Sequence, residues 1–294
     1  MDVTSLRLFV RIAELGGVTK GARDLSMSAA SASARLARLE QSVGFRLFNR
    51  TTRAVSLTTD GAAFLPYAQH TLETLDAGLG AISGRDEHAQ GVLRMTMPGS
   101  FGRMHVIPLL AKFRQLHPGV YLDLRLSDEV LDVVEGAYDL VIRNAMLTDS
   151  NFVARKLAAD HRLLVAAPSY LAHHGEPQSV PELSAHRCVV FPGRNRWKFA
   201  DGQSIEPPRS AVVNDGEAMR HMIENGMGIG LKSLWNAADS LRAGKLVPVL
   251  AHCPVKTESA IWALYPDGQI VAPKVRAMID FLIEQFAMVE SWER

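Results

Sequence analysis

Apolar positions in the first 45 residues recur at helical spacing, in three segments separated by turn residues. The apolar faces of the first and third segments are formed by Leu6, Phe9, Val10 and Ala13, and by Ala32, Leu36, Leu39 and Val43. A first helix is predicted over residues 4–15, with Gly16 as its end. Thr19 is the expected N-cap of a short second helix, Ser28 caps the third, and Gly44 ends it. Two helices joined by so short a turn predict a helix-turn-helix.

A long helix is predicted after Thr58, which is its expected N-cap. Its apolar residues follow a heptad-like seam formed by Leu65, Ala68, Leu72, Leu75, Leu79 and Ile82. Such a short seam is compatible either with packing onto its own domain or with pairing to a second copy. Pro66 removes a backbone donor, so we expect a kink near the start of this helix. Residues 83–91 are mostly polar and contain two glycines, which is typical of a connector.

From residue 92 onward, short strand-like runs are separated by helical segments. A strand at 92–97, a helix at 102–117, a strand at 120–126, a helix at 128–135 and the apolar run 140–142 follow in that order. Further strand-like runs lie at 163–166, 188–191, 211–213, 228–231 and 261–264, and an amphipathic helix is predicted at 273–288. This order predicts an α/β fold with helices on the faces of parallel sheets.

Charge adds a basic amino-terminal end to a nearly neutral chain. The 294 residues carry a formal net charge of +1, but residues 1–60 contain nine Arg and Lys against five acids, a net of +4 that leaves −3 for the remainder. A basic end suits contact with phosphates, although charge alone is as compatible with a solvated helical surface. Its coincidence with a helix-turn-helix favours DNA binding.

Length and cysteine usage narrow the class of protein. A chain of 294 residues is expected to form two or three domains. It has no apolar run of membrane-spanning length, and residues 1–10 do not have the pattern of a signal peptide. Two cysteines, Cys188 and Cys253, fit a reducing compartment. We therefore expect a cytoplasmic protein, with inert thiols favoured over redox sensors.

The segment SLRLFVRIAELGGVTKGARDLSMSAASASARLARLEQSVGFRLFNRTTRAVSLTTDGAAFL resembles the LysR-type transcriptional regulators of bacteria. The residues that have the order and spacing of that family are Leu39, Glu40, Gly44, Leu47, Phe48, Arg50, Thr51, Leu57, Thr58 and Gly61. The resemblance spans essentially the whole chain. It implies a winged helix-turn-helix domain at 1–58, a dimerising linker helix and hinge at 59–91, and an α/β two-lobed, periplasmic-binding-protein-like (type II) effector domain at 92–294.

The third helix departs from the family pattern at two positions that usually read bases. Gln is usual at the position of Ala29, and a basic residue at that of Ala34, so bidentate base contacts are lost at both. We expect specificity to depend on Arg38, on the wing arginines and on DNA shape. The predicted DNA-binding residues are Thr19, Ser28, Ala29, Ala30, Ser33, Ala34, Arg38, Arg50, Thr51 and Arg53.

The resemblance also implies an effector domain whose chain crosses between two lobes twice, near residues 159–162 and 265–269. Lobe I then holds 92–161 and 269–294, and lobe II holds 162–268. A ligand binds between such lobes, where strand ends and helix starts converge. The linker seam is implied to pair two copies through Leu65, Leu72, Leu75, Leu79 and Ile82.

The candidate effector residues lie at predicted strand ends and helix starts, or could form an apolar wall. They are Ser100, Phe101, Arg143, Asn144, Phe191, Asn195, Trp197, Asn214, Asp215 and Met227. The Ser100 hydroxyl, beside unpaired backbone donors, suits a carboxylate, and a plain N-cap role is equally compatible with it. Core or hairpin packing is favoured over a ligand wall for Phe191, Asn195 and Trp197. Together the candidates indicate a small organic anion, aromatic ones included.

Other classes of function find little support in the sequence. It has no HExxH pair, no GxSxG elbow and no cluster of Cys and His, and the glycines at 226–230 enter a strand rather than a helix, the reverse of a dinucleotide site. We expect no enzyme activity, no cofactor and no metal. A ligand-independent DNA-binding repressor remains the alternative. The implied partners are double-stranded DNA with an interrupted palindrome, a small organic effector, a homodimer or dimer of dimers, and RNA polymerase as a further candidate, with no membrane.

Overall fold

The computed structural model describes residues 1–50, 55–83, 89–128, 138–145, 152–193, 196–257, 259–266 and 271–288, without the side chains of residues 50, 73, 77, 80–83 and 288. Two compact units are present. The first is formed mainly by Met1–Gly91, and the second by most of the chain from Val92 onward. Among the described helices, none combines the length and the apolar character needed to cross a membrane.

The first unit is a bundle of three helices followed by a two-stranded wing and a long helix. Its elements are α1 (Val3–Leu15), α2 (Val18–Asp24), α3 (Ala29–Val43), β1 (Phe48–Arg50), β2 (Val55–Leu57) and α4 (Thr59–Ser83). The two strands are antiparallel, with Phe48 opposite Leu57. The apolar faces predicted for α1 and α3 meet in one core, in which Phe9, Leu36 and Leu39 are buried. The winged helix-turn-helix predicted from the sequence is confirmed.

The ends of α1 and α3 are fixed by polar caps and glycines. The carboxylate of Asp2 accepts a hydrogen bond from the N–H of Ser5 at 2.9 Å, so α1 begins one residue before its predicted start. Ser28 caps α3 as predicted, because its hydroxyl accepts the N–H three residues later at 3.2 Å. Gly16 and Gly44 end the two helices in the left-handed region, with φ of 67° and 81°.

The predicted N-cap at Thr19 is wrong. Helix α2 begins at Val18 after Gly17, whose backbone is extended, so Thr19 lies inside the first turn. The short α2 is positioned by close packing instead. A β-carbon at Gly21 would lie 2.8 Å from the Ile12 side chain, so α2 can approach α1 this closely only with glycine there.

The wing is joined directly to the start of α4. The Glu40 carboxylate accepts the N–H of Leu47 at 2.9 Å and so holds the chain that enters β1. Thr58 caps α4 as predicted, because its hydroxyl accepts the N–H of Gly61 at 2.9 Å. The same hydroxyl donates to the Arg46 carbonyl at 2.6 Å. A β-carbon at Gly61 would lie 2.0 Å from the Leu47 carbonyl oxygen. Glycine at this position therefore allows backbone-to-backbone contact between α4 and the wing.

The second unit contains two five-stranded sheets. The first sheet has the order β4-β3-β5-β14-β6, formed by β3 (Gly91–Met97), β4 (Val120–Leu126), β5 (Leu140–Ala145), β6 (Phe152–Ala159) and β14 (Ala260–Pro266). The second has the order β11-β8-β12-β7-β13, formed by β7 (Arg162–Ala166), β8 (Cys188–Val190), β11 (Arg209–Val212), β12 (Ile229–Ser233) and β13 (Val247–Val249). Both sheets are mixed rather than parallel, because β14 runs antiparallel to β5 and β6, and β7 runs antiparallel to β12 and β13.

Helices and short segments complete this unit. They are α5 (Gly99–Phe101), a π turn (Gly102–Val106), a 3₁₀ turn (Ile107–Leu109), α6 (Leu110–Leu116), α7 (Pro168–His174), a second 3₁₀ turn (Pro181–Ala185), the hairpin β9 (Trp197–Lys198) and β10 (Ser204–Ile205), α8 (Gly216–Glu224), α9 (Leu234–Arg242) and α10 (Pro273–Met288). The helical segment after β3 starts at Gly99, three residues before its predicted start. The helix predicted at 128–135 lies outside the described residues beyond Asp128.

The chain passes from the first sheet to the second between β6 and β7, at the predicted first crossing. The predicted second crossing at 265–269 is wrong, because β14 pairs with β5 and β6 in the first sheet. The chain has therefore returned to lobe I before Ala260, and lobe II ends about ten residues earlier than the sequence indicates. An apolar run such as 261–264 looks the same in either sheet, since the choice of partner strand is not encoded locally.

Candidate functional site

The exposed face of α3 is the candidate DNA-binding surface. Ala29, Ala30, Ala34 and Arg38 are exposed on it, and Ser33 is half-buried. Nε of Arg38 donates to the Ala34 carbonyl at 3.4 Å, so this long side chain lies back along the helix. The contact of these residues with DNA stays a prediction. Thr51 and Arg53 of the wing lie outside the described residues, as does the side chain of Arg50.

Part of the basic charge of the first unit is already paired within the unit. The ion pairs are Arg7 with Asp76, Arg11 with Asp24 and Glu14, and Arg35 with Asp2. Hydrogen bonds from Arg11 hold the pKa of Asp24 below its usual value. The acids of the other pairs are already subtracted in the +4 of residues 1–60, so only the pair with Asp76, which lies outside that range, lowers the charge that is available to phosphates.

The apolar seam of α4 is divided between two environments. Leu72 is buried, and Leu65 packs beside it against the core of the first unit, which corrects the expectation that both residues are open to a second copy. By contrast, Leu75 and Leu79 are 37% and 57% exposed. The side chain of Ile82 lies outside the described residues. Helix α4 continues through Pro66, and the kink expected there stays a prediction.

A cavity of about 320 Å³ lies between the two sheets of the second unit. Its polar lining comes from Ser100, Asp128, Arg143, Asn144, Arg162, Lys232, Ser233 and Asn236, and its apolar lining includes Phe191, Trp197, Leu231 and Trp235. Both lobes contribute, at the carboxyl ends of β5, β8 and β12. Five of the candidate residues predicted from the sequence, Ser100, Arg143, Asn144, Phe191 and Trp197, are thus brought together in one cavity.

Ser100 links the two lobes at the edge of this cavity. Its hydroxyl oxygen accepts a hydrogen bond from the N–H of Glu217 at 2.9 Å. The residue before Glu217 is Gly216, and a β-carbon there would lie 2.7 Å from the Ser100 hydroxyl. Ser100 therefore caps the start of α8 in the opposite lobe and not its own helix. Arg103, one turn later, reinforces this junction through ion pairs with Asp215 and Glu217.

The lining of the cavity is held by a chain of hydrogen bonds that crosses between the lobes. Arg162 donates to the Asn144 side chain at 3.2 Å and to the carboxylate of Asp160 at 2.7 Å. Asn144 in turn donates to the Ser233 hydroxyl at 3.3 Å. In the first lobe, Arg143 donates to the carbonyl of residue 127 at 3.1 Å, and burial lowers its pKa. These contacts fix two guanidinium groups beside the cavity.

Lys232 supplies a third basic group, almost entirely removed from solvent. Its side chain is 4% exposed, and Nζ donates to the Gly216 carbonyl at 2.6 Å. Burial lowers the pKa of this amine to about 7, and the neighbouring charges of Arg220 and Arg162 act in the same direction. On the other side of the cavity, burial raises the pKa of Asp128. The cavity therefore carries more positive than negative charge near neutral pH.

Four predicted effector residues do not line the cavity. The ring of Phe101 is fully buried among the rings of His105, Trp235 and Phe286, with centroid distances of 5.2 to 5.7 Å. Asp215 is committed to capping α8, where it accepts the N–H of residue 218 at 2.8 Å, and the preceding residue, Asn214, is exposed. Met227 lies at the amino end of β12, whereas the cavity is at its carboxyl end. Asn195 lies outside the described residues.

Sequence reasoning missed several lining residues, chiefly Lys232, Arg162 and Trp235. A signal was present for Lys232, because a single lysine directly follows the apolar run 228–231 and buried lysines are rare. Arg162 stands opposite Ser233 in the register of β7 and β12, and this pairing cannot be read from either segment alone.

Comparison with known proteins matches both units of the chain. The family model for the bacterial regulatory helix-turn-helix protein, lysR family, matches residues 3–62, and that for the LysR substrate binding domain matches residues 86–287. The HTH-type transcriptional regulator DmlR of Escherichia coli is 32% identical over 97% of this chain and 94% of its own. The regulator CrgA of Neisseria meningitidis is 33% identical over 95% of both chains.

The fold agrees with this relationship. The solved structure of CrgA, a LysR-type transcriptional regulator from Neisseria meningitidis, superposes with a TM-score of 0.63 at 31% identity, covering 97% of this chain and 99% of that one. Both units of this chain are therefore covered by the structure of one known regulator. This chain belongs to the LysR family of transcriptional regulators, with a helix-turn-helix DNA-binding domain and a substrate-binding effector domain.

Proposed function

We propose that DNA binding by this regulator is controlled by a small organic anion held in the cavity between the lobes. The observation that carries the proposal is the convergence of Arg143, Arg162 and Lys232 on one cavity with aromatic walls. Guanidinium and ammonium groups that are partly withdrawn from water pair strongly with a carboxylate. A volume of about 320 Å³ is at the small end of ligand sites, so the anion is a small one.

The hydrogen bonds between the lobes are the proposed link between ligand binding and DNA binding. Ser100, Asn144 and Arg162 line the cavity and also bond the opposite lobe or the crossing segment. An anion that attracts Arg162 or Lys232 competes with these bonds, so it favours one lobe arrangement over another. Only such a difference in affinity between two arrangements can shift their populations.

For DNA binding, we propose that two or four copies of the chain bind an interrupted palindrome of double-stranded DNA in the cytoplasm. The exposed Leu75 and Leu79 of α4 are the proposed contact between copies. Arg38, Ser33 and the wing residues Arg50, Thr51 and Arg53 are the proposed DNA contacts. RNA polymerase is a candidate partner of the DNA-bound oligomer.

The DNA half of the proposal is tested by footprinting on the DNA that adjoins the gene, at several salt concentrations. Arg38→Ala should weaken binding about 5- to 150-fold if Arg38 reads a base, and should reduce the salt slope by about one if it contacts a phosphate. Ala29→Gln should change sequence preference, because it restores a bidentate donor and acceptor. The exposed Arg196→Gln in the effector domain is the control. Binding that none of the α3 variants alters would contradict the proposed surface.

The effector half is tested by titration calorimetry with small carboxylates and their uncharged amides, followed by footprinting with the ligands that bind. Carboxylates should bind more tightly than the amides, and Arg143→Gln should weaken them, with Arg242→Gln at the far end of α9 as the matched control. A footprint that no anion changes, on a protein that binds none, would instead support a ligand-independent repressor.

A further inference from the structure

Lys232 is a buried amine at the cavity and not an ordinary surface cation. Its side chain lines the cavity between the lobes while remaining 4% exposed, and its Nζ is oriented by the Gly216 carbonyl at 2.6 Å. An amine that donates one N–H to a carbonyl directs its lone pair elsewhere when it is neutral. The adjoining cavity is the open space into which a ligand carbon could approach.

The other groups of the cavity suit a ligand that carries both a carboxylate and a carbonyl. Arg143 and Arg162 are fixed beside the same cavity and can pair with the carboxylate. The Ser100 hydroxyl uses its oxygen to accept the Glu217 N–H, and its own proton can be donated to a carbonyl oxygen. Ser100 and Lys232 are close together, since a β-carbon at Gly216 would lie 2.7 Å from the serine oxygen and 3.7 Å from Nζ.

We propose that Lys232 forms a reversible imine with carbonyl-bearing organic anions, so that 2-oxo acids are an effector class of this regulator. The inference rests on the proposed function, because the same cavity holds the ligand.

The step is balanced without any further reactant. The neutral amine of Lys232 attacks the carbonyl carbon, so that a C–N bond forms while the π bond of the carbonyl breaks. The nitrogen loses one proton and the carbonyl oxygen gains one, which gives a neutral carbinolamine. Loss of the hydroxyl and of one N–H proton as water then gives the imine. Water addition reverses both steps, so no oxidant or reductant is needed and the effector can leave.

The charges around Lys232 favour the neutral nucleophile near neutral pH. The groups that face it are Arg220 from α8, Asp215 at the N-cap of α8, Arg162 from β7, and Asp128 from the segment after β4. The two arginines and burial oppose protonation of the amine, and they outweigh the two carboxylates, so its pKa is about 7. Buried lysines of this kind serve as Schiff-base residues elsewhere in proteins.

The proposal is tested on the full chain with pyruvate and phenylpyruvate, each compared with its 2-hydroxy counterpart, lactate or phenyllactate. Sodium cyanoborohydride, which delivers hydride to an imine carbon, makes the adduct permanent. Intact-mass measurement should show one addition per chain, equal to the acid less one oxygen atom, and only with the 2-oxo acids. Peptide mapping should place it on Lys232, and the trapping rate should rise about fivefold between pH 6 and pH 7.

Two variants complete the test. Lys232→Met should lose the adduct, whereas Lys245→Met, at an exposed lysine outside the cavity, should keep it. Mapping of the wild-type adduct assigns the lysine even if the first variant fails to fold. Adducts spread over exposed lysines, or none at all, overturn the imine. If no imine forms but the 2-hydroxy and 2-oxo acids bind equally well in calorimetry, the proposed anion site stands and the imine does not. If neither kind of acid binds, both proposals fail for these acids.

Discussion

The hydroxyl oxygen of Ser100 accepts a hydrogen bond from the backbone N–H of Glu217 at 2.9 Å, although 117 positions separate the two residues in sequence. Ser100 follows a strand of the first sheet, and Glu217 lies in the first turn of α8 beside the second sheet. One of the otherwise unsatisfied N–H groups of α8 is thereby satisfied from the opposite lobe. The bond makes Ser100 a contact between lobes as well as a lining residue of the cavity.

Removal of this hydroxyl should loosen the lobe junction. Ser100→Ala leaves a partly buried N–H without its acceptor, and should lower the free energy of unfolding of the effector domain by about 1–3 kcal/mol. Urea denaturation measures the loss. Ser184→Ala, at an exposed serine, should stay within about 0.5 kcal/mol of wild type. Equal stability of the two variants would mean that the junction does not depend on Ser100.

Asp160 is expected to be among the most sensitive positions in the effector domain. Its fully buried carboxylate accepts from Arg162 at 2.7 Å, from the indole of Trp235 at 3.1 Å and from the hydroxyl of Ser259 at 2.7 Å. It thus joins α9 to both segments that connect the lobes. Asp160→Ala should lower the free energy of unfolding by about 3–5 kcal/mol, because Arg162 loses its partner and two donors lose their acceptor.

The matched control for Asp160 is Asp239→Ala. The side chain of Asp239 is 78% exposed and pairs with Arg242, so its loss should cost less than about 1 kcal/mol. A cost for Asp160→Ala that is no larger than the control in chemical denaturation would show that the crossing segments are held by other contacts.

Lys232 should make anion binding depend on pH. Its pKa in the folded chain is about 7, against 10.5 for an ordinary lysine, so the protonated form is disfavoured in the cavity. A carboxylate that lacks a carbonyl group pairs with the protonated form, and its affinity should fall about tenfold between pH 6 and pH 8. Calorimetry at three pH values measures this. Lys232→Met should bind more weakly and show a flat profile, and an unchanged slope in that variant would assign the titration to another group.

The lowered pKa of Lys232 also affects the free energy of unfolding of the ligand-free protein. Between pH 7 and pH 10.5 the unfolded chain holds the lysine proton and the folded chain has released it. The contribution of Lys232 to the free energy of unfolding should therefore rise with pH across this window. Comparison of wild type with Lys232→Met by thermal denaturation isolates this contribution.

Cys188 should be unreactive in the folded protein. Its thiol is completely buried, and burial raises its pKa to about 12, so almost no thiolate forms at neutral pH. Iodoacetamide should label the half-buried Cys253 first, and Cys188 only after unfolding in guanidinium. Rapid labelling of Cys188 in a Cys253→Ser variant of the native protein would contradict this.

Periodicity and caps predicted those elements whose structure is set locally. The boundaries of α10 agree with the sequence prediction, as do the caps at Ser28 and Thr58, because each depends on residues within one or two turns. Strand β6 was not predicted. Its sequence does not alternate, and its pairing with β14 is irregular near Ile261, so only the sheet itself defines it.

The residues of the candidate site divide in the same way, into those that the local sequence predicts and those that only tertiary packing brings to the cavity. Ser100, Arg143 and Asn144 lie next to strand ends, where the chemistry of the residue and the end of an apolar run coincide. The prediction of Phe101 as an effector contact is wrong, because its ring is directed into an aromatic cluster. Adjacent residues of a helix point in different directions, so Ser100 can line the cavity while Phe101 does not. Lys232 was missed because only the packing of the two lobes turns a strand residue into a cavity residue.

The absence of a side chain at Gly61 has a mechanical consequence. With the backbone of α4 in contact with the carbonyl of Leu47, and with Thr58 bonded to Arg46, the first turn of α4 has little freedom to rotate against the strands that follow α3. A rotation of the first turn of α4 would therefore move β1 and β2 with it. A larger residue at position 61 would push the first turn of α4 away from the wing, and the two would no longer be fixed to each other at that point.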